Sequence, residues 1–226
     1  MISRFFLLLK KDLLLELRSK ETLVLLISTG LLISAVVGAG ISSTFLELAI
    51  VKRIFATLLW LVFLLVATIA VIRSHDGELE GHAYEGLMIA GVSPTIMYLS
   101  KFVALWGVLF LGFIAINFSL QMLLGISFSA QLDLIFKIGL PVTGAYSSLV
   151  AMLIGISSTS RLKGVILPII SIPLCFPIFF AATELTSEII LRGAIDLGSP
   201  WFSILIVSWT VYVLAGVNLY RYVIGE

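Results

Sequence analysis

The chain has 226 residues, 60% of them hydrophobic and only 12% charged, with a formal net charge of +1. Ordinary soluble domains hold roughly 45–50% apolar and about 25% charged residues, so a chain this short cannot hide its apolar surface in a water-soluble core, and lipid can. The near-neutral charge argues against nucleic acid as a partner. The single cysteine, Cys175, excludes an internal disulfide and a thiol-based metal site. It reads as a small apolar residue inside a span.

Residues 1–20 are too charged to cross a bilayer. On a helix, Ile2, Phe5, Phe6, Leu9, Leu13 and Leu17 fall on one stripe, and Arg4, Lys11 and Arg18 lie on another. The pattern predicts an interfacial helix with its cations among lipid headgroups. It serves either as a plain membrane anchor or as an element that also docks a cytoplasmic partner. The apolar run from Phe5 to Leu9 is shorter than the roughly 7–15 residues of a secretory signal core, and Lys10 and Lys11 end it.

A span needs about 20 mostly apolar residues to cross about 30 Å of hydrocarbon. Charge-free stretches predict six, at 22–41, 54–72, 102–124, 138–158, 165–183 and 201–220. Runs of this length satisfy their backbone as helices, and the short alternating strands of a barrel are missing. With the N-terminus in the cytoplasm, ten basic residues fall inside (Arg4, Lys10, Lys11, Arg18, Lys20, Arg73, Lys101, Arg161, Lys163, Arg221). Four fall outside (Lys52, Arg53, Lys137, Arg192), so the bias places both termini inside. Trp60, Trp106 and Trp201 are expected near span ends as a weak interfacial belt.

The cytoplasmic loop 73–101 carries Asp76, Glu78, Glu80 and Glu85 where base is the rule. Anionic lipid would repel these acids, which favours a protein surface. Residues 84–90 can form a short helix whose Leu87, Met88 and Ile89 need cover. The loop either docks a partner or folds on its own chain. Asn117 and Gln121 share a face of the third span and are expected to bond between helices, with a substrate contact as the alternative. In the fifth span Pro168, Pro173 and Pro177 suggest a bent or rigidly shaped helix. Glu188, Arg192 and Asp196 then suggest a short amphipathic helix within 184–200 on the outer face.

Catalytic motifs are lacking. There is no G-x-x-x-x-G-K-[ST] phosphate loop, no H-E-x-x-H and no G-x-S-x-G. No ionisable residue lies mid-span, which disfavours a proton- or sodium-coupled carrier. The expectation is a membrane protein that is not an enzyme and has no ATP-binding motif of its own.

Three segments carry a family resemblance. The first is the run from Lys11 and Asp12 through Leu17 and Arg18 to Thr22. The second is the loop with Glu78, Glu80, Ala83, Glu85-Gly86-Leu87, Tyr98-Leu99 and Lys101. The third is Leu167-Pro168, Pro173, Pro177 and Ala181-Ala182. Together they resemble the CcmB family, permease subunits of the cytochrome c maturation ABC transporter, or haem exporter protein B. Gly91 departs from the pattern, where a proline is expected before the valine.

The resemblance implies an all-α integral membrane protein with a type-2 ABC exporter permease fold. Residues 1–21 would form the cytoplasmic interfacial helix, and 22–226 the six-span domain with its coupling loop at 73–101. Two copies would pair with two copies of the ATPase CcmA, alongside CcmC, CcmD and, indirectly, the haem chaperone CcmE. No cofactor would bind the chain directly; ATP would sit on the partner, and the complex would handle haem. Glu78, Glu80, Tyr84, Glu85, Gly86 and Leu87 would couple to the ATPase. Lys11, Asp12, Leu17 and Arg18 would belong to the docking helix, and Pro168, Pro173 and Pro177 would shape the fifth span. The location would be the inner (cytoplasmic) membrane or an equivalent organelle membrane. A permease of another type-2 exporter, for drug, lipid or polysaccharide, is the alternative. His75 and His82 both fall on the cytoplasmic loop, so no axial histidine for haem is expected on the outer side.

Overall fold

A computed structural model describes the backbone of residues 2–19, 21–44, 46–79, 91–158 and 163–224. Among the described residues the structure is entirely helical, with seven helices. They are α1 (Ile2–Ser19), α2 (Glu21–Ser42), α3 (Leu48–Leu79), α4 (Pro94–Leu123), α5 (Leu132–Ser158), α6 (Lys163–Arg192) and α7 (Pro200–Ile224). Helices α2 to α7 are each long and apolar enough to cross a membrane.

Local chemistry sets several boundaries. Ser93 is extended (φ −70°, ψ 141°) and Pro94 opens α4, where its missing N–H is no loss. Gly125 adopts φ +63° immediately after α4, a left-handed conformation that glycine enters without a Cβ penalty. Gly193 does the same for α6, with φ +70° and its N–H donating to the Ile189 carbonyl at 2.8 Å.

Helix α5 is the axis of the bundle, packed by α4, α6 and α7. Its window is 89% buried against 17% for α7 and 22% for α2, which places those two at the lipid-facing periphery. Helices α2 and α4 run parallel at close quarters. Leu26 meets Gly112, Gly30 meets Ile116 and Gly38 meets Leu123, and a Cβ on Gly30 would come 2.9 Å from Ile116 Cγ1. Gly30, Ser34 and Gly38 recur every fourth residue, the small-residue face that lets membrane helices approach. Leu26 lies early in α2 but Gly112 lies in the second half of α4. Helix α4 therefore starts well before α2, and α1 packs against α4.

The core is aromatic. Trp60 stacks on Phe113 (centroids 5.0 Å apart, 13° between planes), Phe63 meets Phe113 edge-on at 6.0 Å, and Tyr146 meets Phe179 edge-on at 5.5 Å. Offset and edge contacts of this kind contribute about 0.5–1.5 kcal/mol each beyond area burial.

Several expectations are corrected here. Trp60 is a core residue, 1% exposed, and not part of an interfacial belt. No separate helix occupies 184–200: α6 continues unbroken to Arg192, and Asp196 lies in the following turn, where its Oδ1 accepts from the Gly198 N–H at 2.9 Å. Asn117 and Gln121 do not bridge helices. Gln121 Nε2 donates to Asn117 Oδ1 within α4 at 3.2 Å, and Gln121 Oε1 accepts from the Phe128 N–H at 3.0 Å, tying down the turn after α4.

Candidate functional site

Helix starts and ends decide where a partner can act. Helices α2 and α4 are parallel, and α5 and α7 are parallel in the opposite sense. The starts of α2, α4 and α6 and the ends of α3, α5 and α7 therefore share one side. The loop drawn over 73–101 is helical at both ends, since α3 runs to Leu79 and α4 begins at Pro94. Glu78 lies in the last turn of α3. Glu80, Tyr84, Glu85, Gly86 and Leu87 lie outside the described residues. The end of α3 and the start of α4 thus lie on the same side of the bundle.

In α1, Asp12 turns inward with only 12% of its side chain exposed and pairs with Lys11 at 3.1 Å. Leu17 and Arg18 lie on the same helix, with side chains beyond those described. Helix α6 stays continuous through Pro168, Pro173 and Pro177. Between the last two, the Leu174 carbonyl accepts the Tyr212 hydroxyl at 2.7 Å, so α7 holds the proline-rich stretch. Lys101 falls inside α4 and is half-buried.

The first turns of α4 make a polar junction with two other helices. Tyr98 is fully buried, and its hydroxyl faces the carbonyls of Ser148 on α5 (3.2 Å) and Tyr212 on α7 (3.3 Å). Helix α5 continues about ten residues past Ser148, roughly 15 Å of helix. Helix α5 thus extends past the start of α4. Gly216 lies flat against the Tyr98 ring, and any Cβ there would overlap the ring and hydroxyl. The Tyr220 ring lies 5.3 Å from that of Tyr98, and its hydroxyl donates to the Ala151 carbonyl at 3.0 Å. Gly155 leaves the space that the Tyr220 ring fills. Tyr98 stood in the sequence only as part of a motif. Gly216, Gly155 and Tyr220 carried no signal there, because nothing local marks a glycine as the seat of a distant ring.

On the other side of the bundle a groove of about 270 Å³ opens between α3 and α6. Trp60, Leu64, Cys175, Phe176 and Phe180 form its wall, with the hydroxyls of Thr57 and Thr183. Such a lining suits hydrocarbon and offers little to a hydrophilic solute. Among the described residues, no cluster of three or more His, Cys, Asp or Glu side chains forms a metal site. His75 lies near the end of α3, and His82 lies outside the described residues.

Six apolar spans, one of them a buried axial helix, with an acidic segment strung between two of them in sequence, define a multi-pass helical membrane protein of the transporter-permease class. The chain belongs to the CcmB protein family, which matches residues 3–217. That family supplies the permease component of the cytochrome c maturation ABC transporter; it is not an enzyme in itself. Comparison with curated proteins found no match.

Proposed function

We propose that this chain couples ATP hydrolysis on a separate cytoplasmic subunit, CcmA, to the haem-handling step of cytochrome c maturation, which ends in release of the haem-loaded chaperone CcmE. The observation that carries this reading is the family match over nearly the whole chain. The shared side of the helix ends and the acidic segment between α3 and α4 support it. Both termini face the cytoplasm of an inner or equivalent organelle membrane, following the basic-residue bias. Two copies of the chain meet two copies of CcmA, with CcmC and CcmD in the same assembly.

The mechanism is mechanical. ATP draws the ATPase subunits together, and Glu78, Glu80, Tyr84, Glu85, Gly86 and Leu87 form the contact that they move. A change of state needs contacts that differ between the two states, and an apolar tip flanked by carboxylates in a partner groove supplies them. Lys11, Asp12, Leu17 and Arg18 place α1 beside the same partner. Haem is cargo of the complex and is not held by an axial histidine of this chain, since His75 and His82 both lie toward the cytoplasm. ATP binds the partner alone.

The test is co-purification from native membranes. Leu87→Asp is expected to release the ATPase, because a fully buried leucine contributes roughly 1.5–3 kcal/mol. Unchanged ATPase recovery and unchanged turnover would refute the docking. Haem reconstitution of the purified permease is expected to yield no low-spin spectrum that depends on His75 or His82.

A further inference from the structure

We propose that Tyr98 is a positioning residue for energy coupling: it fastens the segment entering α4 to α5 and α7, so that a pull on that segment moves the three helices together. This rests on the functional reading above.

The geometry is specific. Tyr98 lies only one turn into α4, close behind the segment between α3 and α4. Its hydroxyl has one proton and faces two carbonyls on two different helices, at 3.2 and 3.3 Å. Neither carbonyl depends on it for satisfaction, because helix carbonyls in mid-segment already accept a backbone N–H. With both carbonyls in reach, the single proton has a partner at the junction of all three helices and no buried donor is left unpaired there.

The ring supplies the stiff part of the joint. It is seated on Gly216 with no room for a methyl group, and Tyr220 closes over it from α7. The joint extends along α4 at four-residue spacing. Phe102 stacks on Tyr98 (6.2 Å, 13°), and Trp106 stacks on Phe102 (5.7 Å, 7°). Trp106 ends the column by donating its indole N–H to the Leu140 carbonyl of α5 at 2.9 Å and meeting Trp209 of α7 edge-on at 5.4 Å. Gly144 of α5 seats both indoles; a Cβ there would lie 2.8 Å from Trp209 Cζ2. Eight residues of α4, about 12 Å of helix, are thus locked to the same two neighbours at both ends. Close-packed contacts of this kind shift between discrete arrangements and do not stretch.

The experiment uses the full complex with its ATPase and measures two quantities: ATP hydrolysed and cytochrome c matured. Their ratio reports coupling, whereas a merely structural role changes only the amount of complex. Tyr98→Phe keeps the ring and removes the hydroxyl. Gly216→Ala leaves the tyrosine chemically intact and unseats its ring and hydroxyl together. Each is expected to lower the maturation-to-hydrolysis ratio at least threefold in the complex that assembles. Tyr222→Phe, on an exposed tyrosine of the same helix, is expected to leave the ratio unchanged. A smaller fall in both variants overturns the proposal. Loss of assembly in one variant leaves the other to decide, and loss in both shows a folding role and also overturns it. A wild-type complex with no ATPase bound would instead refute the underlying functional reading.

Discussion

The indole N–H of Trp60 on α3 donates to the Thr186 hydroxyl on α6 at 2.9 Å, across a buried interface between residues 126 apart in sequence. Both side chains are buried, so loss of one leaves the other without its hydrogen-bond partner. Thr186→Val keeps the shape and strands the indole N–H. It is expected to cost about 1–2 kcal/mol, read as a lower midpoint of thermal unfolding in detergent. Thr186→Ser is expected to restore most of it; equal losses in both variants would disprove the assignment.

Tyr146 and Thr68 provide a contrast. The Thr68 hydroxyl donates to the Leu64 carbonyl at 2.7 Å, so across the 2.9 Å contact it is Tyr146 that donates to Thr68. In Tyr146→Phe, Thr68 retains its own bond. The loss is expected to be about 1 kcal/mol or less, smaller than for Thr186→Val measured in the same detergent. A reversed order of the two would show that packing, not hydrogen bonding, dominates at these sites.

The α2–α4 seam depends on small residues. Gly30→Leu drives a side chain into Ile116, and Gly38→Leu drives one into the Leu123 backbone. Overpacking costs roughly 1–3 kcal/mol, and near backbone there is least room to yield. Gly38→Leu is expected to reduce recovery of folded protein more than Gly40→Leu, because Gly40 has open space around it. Comparable recovery of the two would contradict the seam.

Cys175 is buried at 1% exposure and is expected to resist membrane-permeant thiol reagents until the protein is unfolded. After Cys175→Ala, Ser43→Cys in the exposed turn between α2 and α3 tests orientation. The proposed topology expects it to be labelled from outside sealed cells, whereas Ser74→Cys is protected. The opposite pattern would reverse the whole topology, since all six spans alternate from the first.

Six spans, helical class and family were legible from residues alone, because each follows from a local or additive property. A charge-free run of about 20 residues must leave water and must close its own backbone hydrogen bonds whatever its neighbours are. The three proline-bearing turns of α6 and the Lys11-Asp12 and Glu85-Gly86-Leu87 motifs were likewise local. Which span is axial was not legible. Helix α5 is the least hydrophobic of the six by mean hydropathy and yet the most buried, since its glycines and serines let rings from other helices approach. Asn117 and Gln121 were misassigned for the same reason: spacing shows which side chains share a face, not whether a helix or the following turn lies opposite. Tyr98 meets the Tyr212 carbonyl across 114 residues, and its ring is seated on Gly216 of another helix. Such pairings depend on the relative depth of helices, and in a uniformly apolar solvent depth is set by packing between spans, which no single span encodes.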